Sequence, residues 1–344
     1  MPVVIPAGEL GSFVTALLGA SVSNPDHAKT ISDVLLWASL RGVDSHGVAR
    51  VPRYLELLDS GEANAAPSLT FAGGPSGVTV LDADRAPGPV ALTAAADEAV
   101  RRARAVGIAA VGVRRTVHTG AIGYYTSRIA EQGLIGIAFV AGMPQMPYPG
   151  SPGAAVATSP LSIAVPAAAA PPVVLDMATA GIALGKIAQY RNAGKTLPEG
   201  VAATADGTPT TDPQVAKMPL PLGGAKGAGM SLVFELLTSV LVGAPILASF
   251  HSDDPDGRKH RQNALILALD PAAFGGANFE EQVFETLAAL HRLPKSDPDT
   301  AIRYPGENSA AVAESRAVQG IPVGPKVWAE LEVAAEKHGV TLPS

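Results

Sequence analysis

Three places in this chain hold residues whose types and spacing could do chemistry. The first is His118, within VGVRRTVHTGAIGYY (Val111–Tyr125). It follows an apolar run, Ile108–Val113, that suits a buried strand, and precedes a helix-like segment, Ile122–Ala130, that stops at Gly133. A histidine at a strand-to-helix turn lies near unpaired helix N–H groups that stabilise an anion or a developing oxyanion. Its ordinary pKa is close to neutral, as a proton donor or acceptor requires. Gly120 and Gly123 leave room for a ligand against the backbone. The competing reading is a histidine that ties down a loop.

The second place is Asp44-Ser45-His46-Gly47 with Arg50. A helix restarting after Gly47 would set Arg50 one turn beyond His46, on the same face. The planar guanidinium fork binds a carboxylate at two points, which lysine cannot copy. Alternatively, Arg50 and Asp44 form an ordinary ion pair and His46 is a packed turn residue. The third place is Gly223–Gly229, GGAKGAG, where glycines surround Lys226 ahead of an apolar helix expected at Ser231–Val242. Backbone N–H groups, a helix N-terminus and a cation would meet there, as a phosphate site requires. The plain alternative is a flexible helix cap. Neither this run nor Gly185-Lys186 is a Walker motif, and no G-x-G-x-x-G fingerprint occurs.

These residues need elements to position them. With 344 residues, 47% hydrophobic and 16% charged, the chain can bury a core and reads as ordered, in roughly two domains. A net charge of −6 without a basic run argues against nucleic acid. Zero cysteines exclude disulfides and thiol chemistry. No signal peptide or membrane span is evident, so a cytoplasmic location is expected. Seven histidines with no H-x-x-x-H or H-E-x-x-H pairing lead us to expect no metal. His27, His291 and His338 read as solvated, and His251 and His260 as part of the hydrophilic loop around Ser252–Arg261.

The chain opens with an amphipathic helix (Leu10, Phe13, Val14, Leu17, Leu18), then a second begun by Asn24-Pro25-Asp26, and a third carrying Val51, Tyr54, Leu55 and Leu58. A strand at Val78–Asp82 and a helix at Val90–Val106 lead to the strand before His118. Short strands then alternate with helices, at Leu134–Val140, Leu161–Val165, Val173–Asp176 and Ala264–Leu269. PAAAAPP (Pro166–Pro172) reads as a turn and Pro147–Pro152 as a rigid loop beside the site. Helices are expected at Phe279–Leu290 and Val323–Gly339.

The order strand, His118-x-Gly-x-x-Gly-Tyr-Tyr, helix, Gly-Leu-Ile-Gly-Ile resembles the malate/L-lactate dehydrogenase family of NAD(P)-dependent oxidoreductases. Arg41–Tyr54 (RGVDSHGVARVPRY), Asp176–Lys186 (DMATAGIALGK) and Asp206–Pro245 support the likeness, which runs to Arg303–Gly306. The resemblance implies a mixed α/β fold without a Rossmann domain: a largely antiparallel seven-stranded cofactor-binding sheet flanked by helices, with an N-terminal helical subdomain. The divisions expected are 1–65 (helical), 66–117 with 291–344 (connecting), and 118–290 (cofactor-binding). It further implies hydride transfer between NAD or NADP and C2 of a small 2-hydroxy or 2-keto acid. His118 would be the acid and base, Arg50 the carboxylate anchor, and His46 and Ser45 their neighbours. Lys226, Asp176, Met177, Ala178, Gly142, Gly120, Gly224 and Gly227 would hold the cofactor, in a homodimer with the site at the subunit interface. Reduction of cyclic imines or N-alkyl amino acids on the same scaffold is an alternative, and a non-catalytic nucleotide-binding regulatory subunit is another. A serine hydrolase using Ser45 or Ser159 lacks G-x-S-x-G. Val117, Thr119, Gly142, Ser159 and Ala228 depart from the family's usual residues near the pocket and bear on substrate choice. Arg191, Lys195 and Arg258 are candidate readers of a ribose phosphate.

Overall fold

The computed structural model describes residues 2–343. Its centre is a seven-stranded sheet in the order Thr70–Ala72, Val78–Asp82, Ile108–Thr116, Gln262–Leu269, Ile135–Ala141, Pro160–Val165, Val173–Ala178. Only Val78–Asp82 and Ile108–Thr116 run parallel; every other neighbouring pair is antiparallel. The expected largely antiparallel sheet is thus present, without the parallel doubly wound order of a Rossmann domain. Gln262–Leu269 occupies the middle, with Ile266 opposite Val111 on one side and Ala138 on the other. Its apolar run suits a strand covered on both faces.

The helix Gly88–Val106 packs on Ile108–Thr116 and Gln262–Leu269. Ala91, Ala95, Ala99 and Ala103 recur every four residues and are wholly buried, so one methyl-lined stripe lets helix and sheet approach closely. The N-terminal helices Ala7–Gly19 and Pro25–Leu40 bury Leu10, Phe13, Val14, Leu17 and Leu18 as their spacing predicts. Asn24 Oδ1 accepts the Asp26 N–H at 2.9 Å, the expected cap. Val3–Ile5 pairs antiparallel with Ile321–Val323, which ties this region to the far end of the chain.

Several expectations change. Between Ile135 and Ala178 three strands follow one another with no helix between them. The Pro166–Pro172 turn joins two of them, with Ala169 at φ 51°. Helices Leu184–Asn192 and Glu307–Gln319 were not foreseen, and the last helix is Pro325–His338, because Ile321–Val323 is strand. Among the described residues no helix is long and apolar enough to cross a membrane.

Candidate active site

His118 sits just beyond the end of the strand Ile108–Thr116. Its carbonyl accepts the Gly88 N–H at 3.1 Å. A Cβ on Gly88 would lie within 2.8 Å of that carbonyl carbon, so only glycine lets the helix start press against this turn. Tyr54, fully buried, donates its hydroxyl proton to the His118 carbonyl at 2.9 Å and stands 3.0 Å from Nδ1. The Gly120 N–H lies 3.3 Å from the same nitrogen. Nδ1 therefore has a partner in either tautomer: the tyrosine oxygen accepts from Nδ1–H, and Gly120 donates to a bare Nδ1. Burial pushes the Tyr54 phenol above its ordinary pKa, so it stays protonated. Nε2 makes no hydrogen bond among the described residues and is the nitrogen left for chemistry.

The His46 ring stacks on this histidine, with centroids 6.1 Å apart and planes inclined by 19°. No continuous helix restarts after Gly47. Two 3₁₀ turns, Asp44–His46 and Val48–Arg50, flank it instead. A side chain on Gly47 would strike Ser39 Oγ, which accepts the Val48 N–H at 3.0 Å, so the junction needs a glycine. Asp44 pairs with Arg316 at 2.6 Å and leaves Arg50 out of the simple ion pair. Arg50 Nε donates to the Ser45 carbonyl at 2.7 Å, and its two terminal nitrogens have no hydrogen bond among the described residues. Ser45 Oγ lies 3.0 Å from His46 Nδ1.

This cluster carries a positive field. Burial, then Arg50, lowers His46 from 6.5 to about 4. Burial, then His46, Arg50, His260 and Arg53, holds His118 well below 6.5. Both rings are neutral at pH 7 in the free protein, and an entering carboxylate would relieve the field that keeps them so.

A cleft of about 380 Å³ opens beside the cluster. Ser45, His46 and Gly120 line it together with Asp176, Met177 and Ala178. The last three come from the edge strand Val173–Ala178. Asp176 faces the open cleft yet accepts the Gly123 N–H at 2.8 Å. The helix Gly123–Ala130 therefore spends its first N–H on this carboxylate rather than on a ligand at His118. Desolvation, opposed by that bond, raises Asp176 from 3.8 to about 6.

The glycine-rich turn is fastened to the end of the same strand. Leu222 N–H donates to the Thr179 carbonyl at 2.9 Å, and Gly181 N–H to the Leu220 carbonyl at 2.8 Å. A Cβ on Gly227 would meet the Thr179 oxygen and the Leu222 nitrogen at 2.5 Å each. Gly224 has φ 64° and ψ −116°, a conformation for glycine alone. The helix begins at Ala225, earlier than the expected Ser231, and puts Lys226 in its first turn, exposed and with no hydrogen bond to its ammonium among the described residues. Beside it the buried Thr179 hydroxyl lacks a partner. An exposed cation in the first turn of a helix that follows a glycine-rich turn is an arrangement that could take a phosphate group.

Gly142 follows the strand Ile135–Ala141 and lies against Gln262, outside the cleft lining. Ser159 is buried with its hydroxyl 3.2 Å from that of Ser231, an internal contact. Arg191 donates from Nε and Nη2 to the carbonyls of Pro213 and Ala216 at 2.8 and 3.2 Å. The sequence reading missed three residues. Tyr54 lies four places after Arg50, a helical spacing that could have flagged it. His260 is half-buried, with Nε2 unpartnered, and adds to the field on His118. Gln262 gives no local signal, because the N–H it holds is 143 positions away.

Residues 5–332 match the family described as malate/L-lactate dehydrogenase. The chain is 32% identical over 302 residues to a ureidoglycolate dehydrogenase (NAD(+)) of Escherichia coli O157:H7, covering 87% of this chain and 86% of that one. It is 30% identical over 325 residues to a Δ1-pyrroline-2-carboxylate/Δ1-piperideine-2-carboxylate reductase of Pseudomonas putida, covering 93% of each. Its fold superimposes on sulfolactate dehydrogenase from Methanocaldococcus jannaschii with a TM-score of 0.89 at 29% identity, covering 99% of this chain and 98% of that one. A family match over residues 5–332, on a sheet of this order, leaves one assignment: the chain belongs to the malate/L-lactate dehydrogenase family of oxidoreductases.

Proposed function

We propose that the chain interconverts a small 2-hydroxy acid and its 2-keto acid with NAD or NADP, using His118 as the acid and base. The observation that carries this reading is the free Nε2 of His118 beside the unpaired fork of Arg50. A bound nicotinamide cofactor supplies the hydride to C2 or takes it away. Asp176–Ala178 in the cleft, with Lys226 from the adjoining glycine-rich turn, would hold that cofactor. Arg50 takes the substrate carboxylate, with Ser45 and His46 alongside. In oxidation His118 Nε2 removes the hydroxyl proton; in reduction it returns a proton to the carbonyl oxygen, so the proton and the hydride balance in both directions. Tyr54 steadies the ring through Nδ1 and answers the charge that develops there. The Pseudomonas relative supports a second reading, in which the proton goes to the nitrogen of a cyclic imine carboxylate.

The working unit in this proposal is a cytoplasmic homodimer. The helix beyond Lys226 exposes Val233, Leu236, Val240 and Leu241 on its surface, an apolar row that a second copy would cover.

The test is His118→Asn. A lost general acid costs about 10²–10⁴ in rate. Turnover should fall by at least that lower figure with cofactor affinity unchanged, and the pH-dependent limb of the profile should disappear. Retention of that limb would remove His118 from the chemistry. Absence of turnover by the unaltered protein on every keto acid and cyclic imine tried, with cofactor still bound, would favour the non-catalytic reading.

A further inference from the structure

Where the strand Ile108–Thr116 leaves the sheet, its ladder with Gln262–Leu269 breaks. The register shifts between Gln262 and Ala264, and Arg115 sits at φ 59°. Two consecutive carboxamides take over the work of the missing ladder. Asn263 Oδ1 accepts the Arg115 N–H at 2.9 Å, and its amide nitrogen donates to the Ala244 carbonyl at 2.7 Å. Gln262 Oε1 accepts the Thr119 N–H at 2.9 Å. The segment that carries His118 is therefore pinned on either side by side chains of the central strand.

An N–H can be answered only by the carboxamide oxygen, so this bond also fixes which way Gln262 faces. Its NH2 points towards Gly142: a Cβ built there would lie 3.1 Å from Gln262 Cγ and 3.2 Å from Nε2. A side chain at Gly142 would press the glutamine by a few tenths of an ångström, against the bond it holds to Thr119. We propose that Gln262 is a positioning residue for His118, acting through Thr119, and that Gly142 is bare because the Gln262 amide fills its side-chain space. The proposal rests on His118 being the acid–base group.

Four charged or titratable neighbours act on that ring: His46, Arg50 and Arg53 from the N-terminal segment, and His260 from the loop before Gln262. Tyr54 contributes a neutral hydroxyl. Gln262→Glu keeps an acceptor for Thr119 but sets a negative charge into this positive surrounding. The new carboxylate would stand at the amide of the residue that follows His118, and a nearby opposite charge favours the protonated ring, so the His118 limb should shift to higher pH. Gln262→Leu removes the acceptor and should lower kcat at least roughly tenfold, less than the roughly hundredfold or more of losing the acid itself, since the histidine is displaced but present. Cofactor Kd should stay near that of the unaltered protein, while the melting temperature falls modestly because the N–H of buried Thr119 loses its acceptor. Gly142→Ala should lower kcat in the natural background and add nothing to Gln262→Leu, since residues sharing one contact are not additive.

His118→Asn is measured beside them. A limb that survives in H118N overturns the acid–base reading, and this proposal with it. A limb that H118N abolishes but Q262E leaves in place overturns the Gln262 proposal alone, as does full kcat in Q262L.

Discussion

His46 and Asp176 line one cleft and are perturbed in opposite senses. His46 is lowered from 6.5 to about 4, so between those values the unfolded chain binds a proton that the folded one refuses. Its share of stability is complete above pH 6.5 and is lost as the pH falls towards 4. Asp176 is raised from 3.8 to about 6, so the folded chain holds a proton that the unfolded one releases, although solvent in the open cleft screens this carboxylate and makes its share the smaller. That share is present below 3.8 and is lost as the pH rises through 6. Over the common window the two slopes oppose each other. Asp176→Asn removes one of them, and its melting temperature should fall more steeply on acidification from pH 6.5 to 4 than that of the unaltered protein. Parallel curves in calorimetry would show that Asp176 is not perturbed as described. At this scale the sequence singled out His118, His46 and Arg50 by residue type and local spacing, and the fold brings the three together. It was silent on Gln262, whose meaning depends on a bulge between strands far apart in the chain.

The glycine-rich turn shows how an element can serve two ends that mutation separates. Gly227→Ala presses a methyl group onto two backbone atoms 2.5 Å away. Overpacking of that kind costs about 1–3 kcal/mol, and a lower melting temperature should register it. Lys226→Ala touches no packed atom and should leave the melting temperature alone. It should instead weaken nicotinamide cofactor binding by about 1–3 kcal/mol, the worth of a charge-assisted hydrogen bond, measured by fluorescence titration. Unchanged affinity would make the turn a helix cap only. The helix start was misread from sequence because Gly227 and Gly229 depress helix propensity, whereas the turn is set by Gly227 N–H donating to the Leu222 carbonyl. Leu184–Asn192 and Glu307–Gln319 were missed for a different reason. Each buries only one residue, Ile187 and Ala310 respectively, so there is no apolar stripe to read. Six of the seven sheet strands were legible from their apolar or alternating runs, whereas the edge strand Thr70–Ala72 was missed because its three residues are all exposed.

For the whole molecule, the exposed row Val233, Leu236, Val240 and Leu241 governs assembly in our reading. Leu236→Asp with Leu241→Asp should convert a dimer to a monomer by light scattering, with turnover lost alongside if the site needs its neighbour. A monomeric unaltered protein would end that reading. The seven-strand order carries one more consequence, which concerns time. Gln262–Leu269 is the last of the seven strands to be synthesised, yet it lies between two made well over a hundred residues earlier. While the ribosome is still short of residue 262, Ile108–Thr116 and Ile135–Ala141 each face a gap with unpaired N–H and C=O groups, the state most prone to wrong pairing. Folding of this chain is thus a late, long-range closure and should be slow for its size. The strand that completes the sheet also brings Gln262 to Thr119, so a nascent chain acquires its ordered histidine only when its barrier to misassembly has already been passed.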